Sequence, residues 1–460
     1  MDYRIYPPEQ LIEDGIADLP LSKSMLNRRM VIEALTPGCP EGSLLYSGTG
    51  GDGPEIRDIA VIRAALRQML CQASKNLGAA APYEEVNADE SGTALRFLCA
   101  FIAATPGCQA VLTGCERLCH RPVRPLVDAL RQLGAEIEYV DQEGFAPLKI
   151  KGKRLAGGEV KVDATLSSQY VSALMLTAPT MERGLTITFD GEPSSLPYIK
   201  MTAAMIRRRG IEIELTPLSV SVAYGTYRPV DEPIEADWSA AAFWYEVVAL
   251  TAGWVSMRCG SDPRKAIVAL PGESIQGDSA AAEFFGRLGV ETAPSDDFKG
   301  AVALSPSPEM FGRLDADLRD YPDMAPALAV TACMLGVPFR LVGLGALHAK
   351  ESDRLQAIIE EMEKVGVTIE RIRDYGMEWD GKRHPITAMP VFDPRNDHRM
   401  AMACAPCAAY IPGIVVKDVE CVDKSYPGYW DVLRALGFTL TDASVPADNA
   451  ETAADTDNAE

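Results

Sequence analysis

Six times along the chain a helix-like stretch ends in a glycine and gives way to an apolar segment. The markers are Asn76-Leu77-Gly78, Leu133-Gly134, Arg209-Gly210, Leu288-Gly289, Val365-Gly366 and Leu436-Gly437. After several of them apolar and polar positions alternate, as in Ala135-Glu136-Ile137-Glu138, Ile211-Glu212-Ile213-Glu214 and Val367-Thr368-Ile369-Glu370. Alternation with period two reads as a half-buried strand, and glycine suits the left-handed position just past a helix. Successive markers lie roughly 55–80 residues apart, which predicts six copies of one α/β unit of about 70 residues. The fold class expected is therefore α/β.

The pattern stops near residue 441. Residues 441–460 are dominated by Ala, Asp, Glu, Thr and Asn and contain no aromatic residue. Such a segment has too little apolar surface to order itself, so a disordered acidic tail is expected there.

Polar residues cluster where helices are predicted to begin. The clusters are Ser22-Lys23-Ser24 with Arg28, Ser91-Gly92-Thr93 with Arg96, Ser167-Ser168-Gln169, Lys350-Glu351-Ser352-Asp353-Arg354, and Asp397-His398-Arg399. A helix N-terminus presents unpaired N–H groups and a positive dipole end, which makes it an anion site. Lys23, and His398 with Arg399, sit where a cation opposes the dipole unless an anion is present. Ser167 and Ser168 also read as simple caps, and capping is compatible with phosphate binding. Asp323, in Tyr321-Pro322-Asp323-Met324-Ala325-Pro326, reads equally as a cap and as a functional acid. Five such clusters point to an enzyme that holds two phosphorylated or carboxylated substrates.

Charge sharpens this reading. The chain has 65 acidic and 44 basic side chains and a formal net charge of −21, which argues against nucleic acid or an anionic membrane as a partner. Local cationic sites are built against that background. The 11 cysteines are odd in number and irregularly spaced, unlike a secreted disulfide framework. No signal peptide is visible, and no stretch approaches the roughly 20 apolar residues of a membrane span. A reduced, cytoplasmic protein is expected.

Two motifs are set aside. Gly48-Thr49-Gly50-Gly51-Asp52-Gly53 fits a dinucleotide fingerprint, but residues 68–80 lack the acid that would hold the ribose. Cys404-Ala405-Pro406-Cys407 lies in the apolar run Met400–Ala409 with no second pair nearby, so buried core cysteines are expected rather than a metal or redox pair.

The clusters, in this order, resemble the 5-enolpyruvylshikimate-3-phosphate (EPSP) synthase family. The segments that carry the resemblance are LPLSKSMLNR, ESGTALRFL, LTGCERLCHRPVRPLVDALRQLGA, SSQYVSALML, LPYIKMT, YPDMAPALA, HAKESDRL, NDHRMAMA and DKSYPGYWDVL, from about residue 18 to 440. The resemblance implies a two-domain inside-out α/β barrel with three βαβαββ units per domain around a pseudo-threefold axis. The first domain would comprise residues 1–20 and 236–440, and the second residues 21–235, the two closing on the substrates. The implied reaction moves the enolpyruvyl group of phosphoenolpyruvate to the 5-hydroxyl of shikimate 3-phosphate without metal or organic cofactor, in a monomer.

By position, the resemblance assigns Ser24, Arg28, Ser167, Ser168, Ser195 and Tyr198 to shikimate 3-phosphate. Lys23 and Gln169 would touch both substrates, and Asp323 and Lys350 the shikimate side. Gly92, Arg121, Arg354, Arg399 and Lys424 would surround phosphoenolpyruvate. Asp323 and Glu351 would transfer protons, with Lys23 and His398 assisting. The chain departs from the family at Leu21 and Glu90, where Gly and Asn are usual, at Ala346 and His348, where some members carry Asn and Arg, and at Gly428, where Asp is usual.

The alternative enzyme is UDP-N-acetylglucosamine enolpyruvyl transferase, whose family carries a cysteine before an Arg-Pro pair. Cys115 and Cys119 lie near Arg121-Pro122, though neither spacing fits well. A non-catalytic anion-binding relative of the same fold is the other alternative. Loss of Lys23, Asp323, Glu351 or Lys424 would favour it, and all four are present.

Overall fold

The structure is a computed structural model that describes residues 1–39, 43, 45, 55–75, 82–230, 233–260 and 266–444. The chain forms two compact units. One consists of Met1–Pro20, Glu235–Ser274 and the chain from Asp278 onward; the other consists of Leu21–Ile234 with Ile275–Gly277.

One strand pattern recurs in five four-stranded sheets among the described residues. Taken in chain order, the first strand runs parallel to the second. The second pairs antiparallel with the fourth, and the fourth antiparallel with the third. In the unit built on Leu21–Ile234 this describes Glu84–Asn87, Gln109–Thr113, Glu136–Tyr139 and Leu148–Lys151. It also describes Gly158–Asp163, Leu185–Asp190, Ile213–Leu215 and Ser219–Val222. A parallel pair needs a crossover, and the helices Gly92–Ala104 and Ser168–Thr177 supply it.

The other unit holds three such sheets. Leu314–Asp317, Phe339–Val342, Glu370–Ile372 and Gly376–Trp379 form one, crossed by the helix Ala325–Leu335. Gly15–Asp18, Val255–Arg258, Leu288–Pro294 and Val302–Met310 form the second. Here residues 21–234 are inserted between the first strand and its crossover helix Trp238–Thr251. The third sheet uses Val391–Phe392, Ile414–Val416 and Thr439–Asp442, and takes its fourth strand, Tyr3–Tyr6, from the chain's start.

Gly134, Gly210, Gly366 and Gly437 each follow a helix with φ between 78° and 95°. That left-handed geometry lets the chain leave the helix and enter a strand, and a side chain there would be strained. Gly289 differs. It lies inside the strand Leu288–Pro294, at a register shift between Leu288 and Val290. Gly78 falls outside the described residues, as do residues 48–53 with their dinucleotide-like pattern. In the stretch where the sixth unit is expected, the helices Lys23–Ala34 and Arg57–Lys75 are described.

The crossover helices are apolar on nearly every side. Gly92–Ala104 buries every residue but Thr93, and Ala325–Leu335 every residue but Leu335. A helix of this kind belongs in a core. Its polar residues are then confined to its N-terminal end, which is where the clusters lie.

Two expectations need correction. Thr441 and Asp442 are not in a disordered tail: they pair with Arg4 and Tyr3 in the strand Thr439–Asp442. The backbone bonds to the N-terminal strand order them, and composition alone did not reveal that partner. The remainder of the expected tail, from residue 445, lies outside the described residues. The unit boundaries also differ from 21–235 and 236–440. Glu235 belongs with the first unit, its carboxylate accepting a bond from Ser274 Oγ at 2.5 Å. Ile275–Gly277 go with the second unit, where Ser22 Oγ donates to Gln276 Oε1 at 2.8 Å.

Candidate active site

In the unit built on Leu21–Ile234, Ser22 caps the helix Lys23–Ala34 by accepting the Met25 N–H at 3.4 Å. Lys23 and Ser24 therefore open that helix. Lys23 Nζ pairs with Asp58 Oδ2 at 3.0 Å, and Asp58 stands in the first turn of Arg57–Lys75.

Arg28, one turn in, is 2% exposed. Its Nε donates to Thr202 Oγ1 at 2.7 Å and its Nη1 to the Ser24 carbonyl at 2.8 Å. Nη2 donates to Ser172 Oγ at 3.2 Å and to the Tyr198 carbonyl at 3.4 Å. The guanidinium also lies 5.8 Å from the Tyr198 ring centroid. Every one of these partners is neutral, and among the described residues no carboxylate pairs with Arg28. Burial pushes its pKa down to about 10, so it remains charged at neutral pH. A buried cation held only by neutral oxygens is costly unless an anion arrives.

A second cation organises the neighbouring helices. Ser91 caps Gly92–Ala104. Arg96 Nη1 donates to the Gly92 carbonyl at 3.0 Å and to Gln169 Oε1 at 2.9 Å, while Gln169 Nε2 donates to Thr93 Oγ1 at 3.0 Å. A Cβ added at Gly92 would lie 2.6 Å from Arg96 Nη1 and 2.7 Å from Arg121 Nη1. Gly92, Arg96, Arg121 and Gln169 thus form one group.

Ser167 caps Ser168–Thr177 through the Gln169 N–H at 3.3 Å, and Ser168 is its buried first residue. Ser195 precedes Leu196–Arg208 in a left-handed conformation, φ 57°, and its carbonyl accepts the Tyr198 N–H at 3.1 Å. These serines stand at the ends of helices that Arg28 ties together. Cys115 is occupied as a helix cap, accepting the Leu118 N–H at 3.4 Å, and Cys119 Sγ donates to the Gly114 carbonyl at 3.5 Å.

In the other unit the charges converge on two carboxylates. Asp323 Oδ1 takes Arg354 Nη1 at 2.8 Å and Lys350 Nζ at 3.1 Å, and its Oδ2 takes Arg399 Nη2 at 3.2 Å. Burial opposes ionisation of Asp323, but Arg399, Lys350 and Arg354 outweigh it and hold the carboxyl well below the usual range. Arg354, 1% exposed, also donates from Nη2 to Glu351 Oε2 at 2.6 Å.

Behind Arg354 lies Asp397, fully buried. It accepts Arg354 Nε at 2.8 Å, Ser352 Oγ at 3.0 Å and the Arg399 N–H at 3.1 Å, the last capping His398–Cys404. His398 is the buried first residue of that helix. Lys424 Nζ donates to the Asn396 carbonyl at 3.0 Å. Arg395 and Asn396 both have positive φ, 55° and 58°, a costly backbone that aims this carbonyl at Lys424.

Four contributors were not foreseen. Asp397 was legible only as a cap and Arg96 only as part of a cluster. Asp58 lies on another helix with no local signal. Asp278 is buried, takes a bond from Ser239 Oγ, and is pushed up to about 6 by burial and by the charge of Asp323, against Arg399. Cys404 and Cys407 are buried free cysteines whose thiols burial pushes up, as befits core residues.

A family model described as EPSP synthase (3-phosphoshikimate 1-carboxyvinyltransferase) matches residues 15–433. The chain is 38% identical over 444 residues to a 3-phosphoshikimate 1-carboxyvinyltransferase of Bacteroides fragilis, covering 96% of this chain and 99% of that one. It is 30% identical over 425 residues to the protein of the same name from Methanospirillum hungatei, covering 91% and 94%. The structure of an EPSP synthase from Acinetobacter baumannii is similar with a TM-score of 0.68 at 20% identity, over 96% of this chain and all of that one, a likeness of fold.

Proposed function

This chain belongs to the EPSP synthase family, and from that premise we propose how its residues carry out 3-phosphoshikimate 1-carboxyvinyl transfer. In this reaction the 5-hydroxyl oxygen of shikimate 3-phosphate adds to C2 of phosphoenolpyruvate while the methylene carbon gains a proton, giving a tetrahedral intermediate. The new methyl group then loses a proton, the C2–O bond to phosphate breaks, and the enol ether and inorganic phosphate leave.

The observation that carries the assignment of the shikimate side is Arg28. It is buried and charged, and its partners among the described residues are neutral. An anionic substrate at this helix N-terminus would supply the missing charge. Ser24, Ser167, Ser168, Ser195, Tyr198, Asp323 and Lys350 complete the proposed shikimate 3-phosphate set. Lys23 and Gln169 serve both substrates. Arg121, Arg354, Arg399 and Lys424 bind phosphoenolpyruvate, and the close approach at Gly92 admits it. Planar guanidinium groups suit its carboxylate and phosphate.

Proton transfer falls to groups whose states differ. Asp323 is ionised, so it has no proton to give, and it becomes an effective base only as phosphoenolpyruvate draws Arg354 and Arg399 away from it. Protonation at the methylene carbon is then left to Glu351, Lys23 or His398. The cations around the reacting centre stabilise charge that develops there. The same reading makes the protein a cytoplasmic monomer.

Calorimetry of shikimate 3-phosphate binding to Arg28→Met tests the assignment. Loss of charged hydrogen bonds worth about 1.5–3 kcal/mol each predicts affinity weaker by about 10- to 100-fold. Undiminished binding to the folded variant would contradict it.

A further inference from the structure

His348 lies next to the loop that carries Lys350 and Glu351, and its surroundings explain what a histidine does there. It is the fourth residue of the short 3-10 turn Gly345–Ala349, two residues before Lys350 and three before Glu351. Its Nδ1 lies 2.9 Å from Asp353 Oδ2, and its Nε2 lies 3.0 Å from the Asp374 carbonyl oxygen. Both neighbours are acceptors and neither has a proton to give. A neutral imidazole has one N–H and one lone pair, so it satisfies only one of them; the imidazolium donates to both.

The two acceptors belong to different elements. Asp353 caps the helix Arg354–Glu363 by accepting the Gln356 N–H at 3.1 Å. Its carboxyl is buried in part, which raises its pKa, but the bonds from His348 and Gln356 prevail and hold it low. Asp374 lies in the turn between the strands Glu370–Ile372 and Gly376–Trp379. The charged groups around the ring are Asp353 on the helix side, and Asp374 and Arg371 on the turn side. Arg371 Nη2 is 3.4 Å from both ring nitrogens, so it sits over that edge of the ring rather than on a lone pair. It is itself bound to Gln356 Oε1, Asp374 Oδ1 and the Arg373 carbonyl.

We infer that His348 is a positioning residue for Lys350 and Glu351, and that its working form is the imidazolium, which pins their loop to the helix cap on one side and to the strand turn on the other. This rests on the roles proposed above for Lys350 and Glu351. When the ring loses its proton, one pin becomes a contact between two lone pairs and the loop is held at one end only. Arg354 is fixed independently by Asp397, so the phosphoenolpyruvate side keeps its geometry. Arginine at this position would keep both pins at any pH, since it stays charged and donates from several N–H groups.

The test is the pH dependence of wild type, His348→Arg and His348→Ala, with NMR titration of the His348 ring to report its charge. Wild-type kcat/KM for shikimate 3-phosphate should fall about 3- to 10-fold as the ring deprotonates, the scale of one lost hydrogen bond. The Michaelis constant for phosphoenolpyruvate should change less than about twofold. His348→Arg should remove the step, and His348→Ala should show the lowered activity throughout. Superimposable profiles of wild type and His348→Arg, or a kinetic step that does not track the ring's own titration, would overturn the inference. Absence of turnover in the wild type would instead strike the functional reading on which it rests.

Discussion

Arg354 and Asp397 meet through two hydrogen bonds, Nε to Oδ2 at 2.8 Å and Nη2 to Oδ1 at 3.2 Å, with both side chains sealed from water. This pair joins the N-termini of two helices and leaves the Arg354 Nη1 edge to Asp323. Asp397→Ala leaves Arg354 Nε and Ser352 Oγ without their acceptor, while Asp323 and Glu351 still face the guanidinium, so it should lower unfolding free energy by about 1–3 kcal/mol. Denaturant unfolding measures this. A loss under about 1 kcal/mol would mean that water reaches the site.

Asp323 supplies a pH prediction. Its folded pKa is depressed, so its ion pairs stabilise the fold above the unfolded value and are lost only as pH falls below the usual carboxylate range. In the free enzyme it should give no acid limb in kcat/KM. Once phosphoenolpyruvate occupies Arg354 and Arg399, those cations are shared and the carboxyl becomes easier to protonate. An acid limb from Asp323 should therefore appear in kcat and not in kcat/KM. Coincident limbs would contradict the sharing. Asp323→Asn should lower kcat by about 100-fold or more.

Gly92→Ala is a steric experiment. The added methyl would meet both Arg96 and Arg121 closer than contact distance, and Arg96 cannot withdraw without shifting its bonds to the Gly92 carbonyl and Gln169. The Michaelis constant for phosphoenolpyruvate should rise about tenfold, as expected for about 1.4 kcal/mol, with little change in affinity for shikimate 3-phosphate. Equal weakening of both would show that the change reaches beyond Arg121.

Glu246 lies fully buried in the helix Trp238–Thr251, and burial pushes its carboxyl well above the ordinary range. An acid whose folded pKa is raised costs stability as pH rises from its unfolded to its folded value. Glu246→Gln should therefore raise the melting temperature near about pH 8 more than near about pH 4. An equal effect at both would show the carboxyl to be charged in the fold.

What was legible in the sequence follows from the range of each interaction. The left-handed glycines Gly134, Gly210, Gly366 and Gly437 are local, so their pattern exposed the repeat. Capping is local too, and Ser22, Ser91, Ser167 and Asp397 cap helices where the polar clusters foretold. The pairing of Tyr3–Tyr6 with Thr439–Asp442 spans almost the whole chain, and no nearby residue announces it. Asp58 and Asp278 come to their partners Lys23 and Ser239 by tertiary packing alone.

The central claim is that this chain moves the enolpyruvyl group onto shikimate 3-phosphate. Inorganic phosphate released from phosphoenolpyruvate by the purified protein measures it directly, with shikimate 3-phosphate in one reaction and UDP-N-acetylglucosamine in another. Release that depends on shikimate 3-phosphate is the predicted result. Release with the sugar nucleotide alone, or with neither acceptor, would contradict the account.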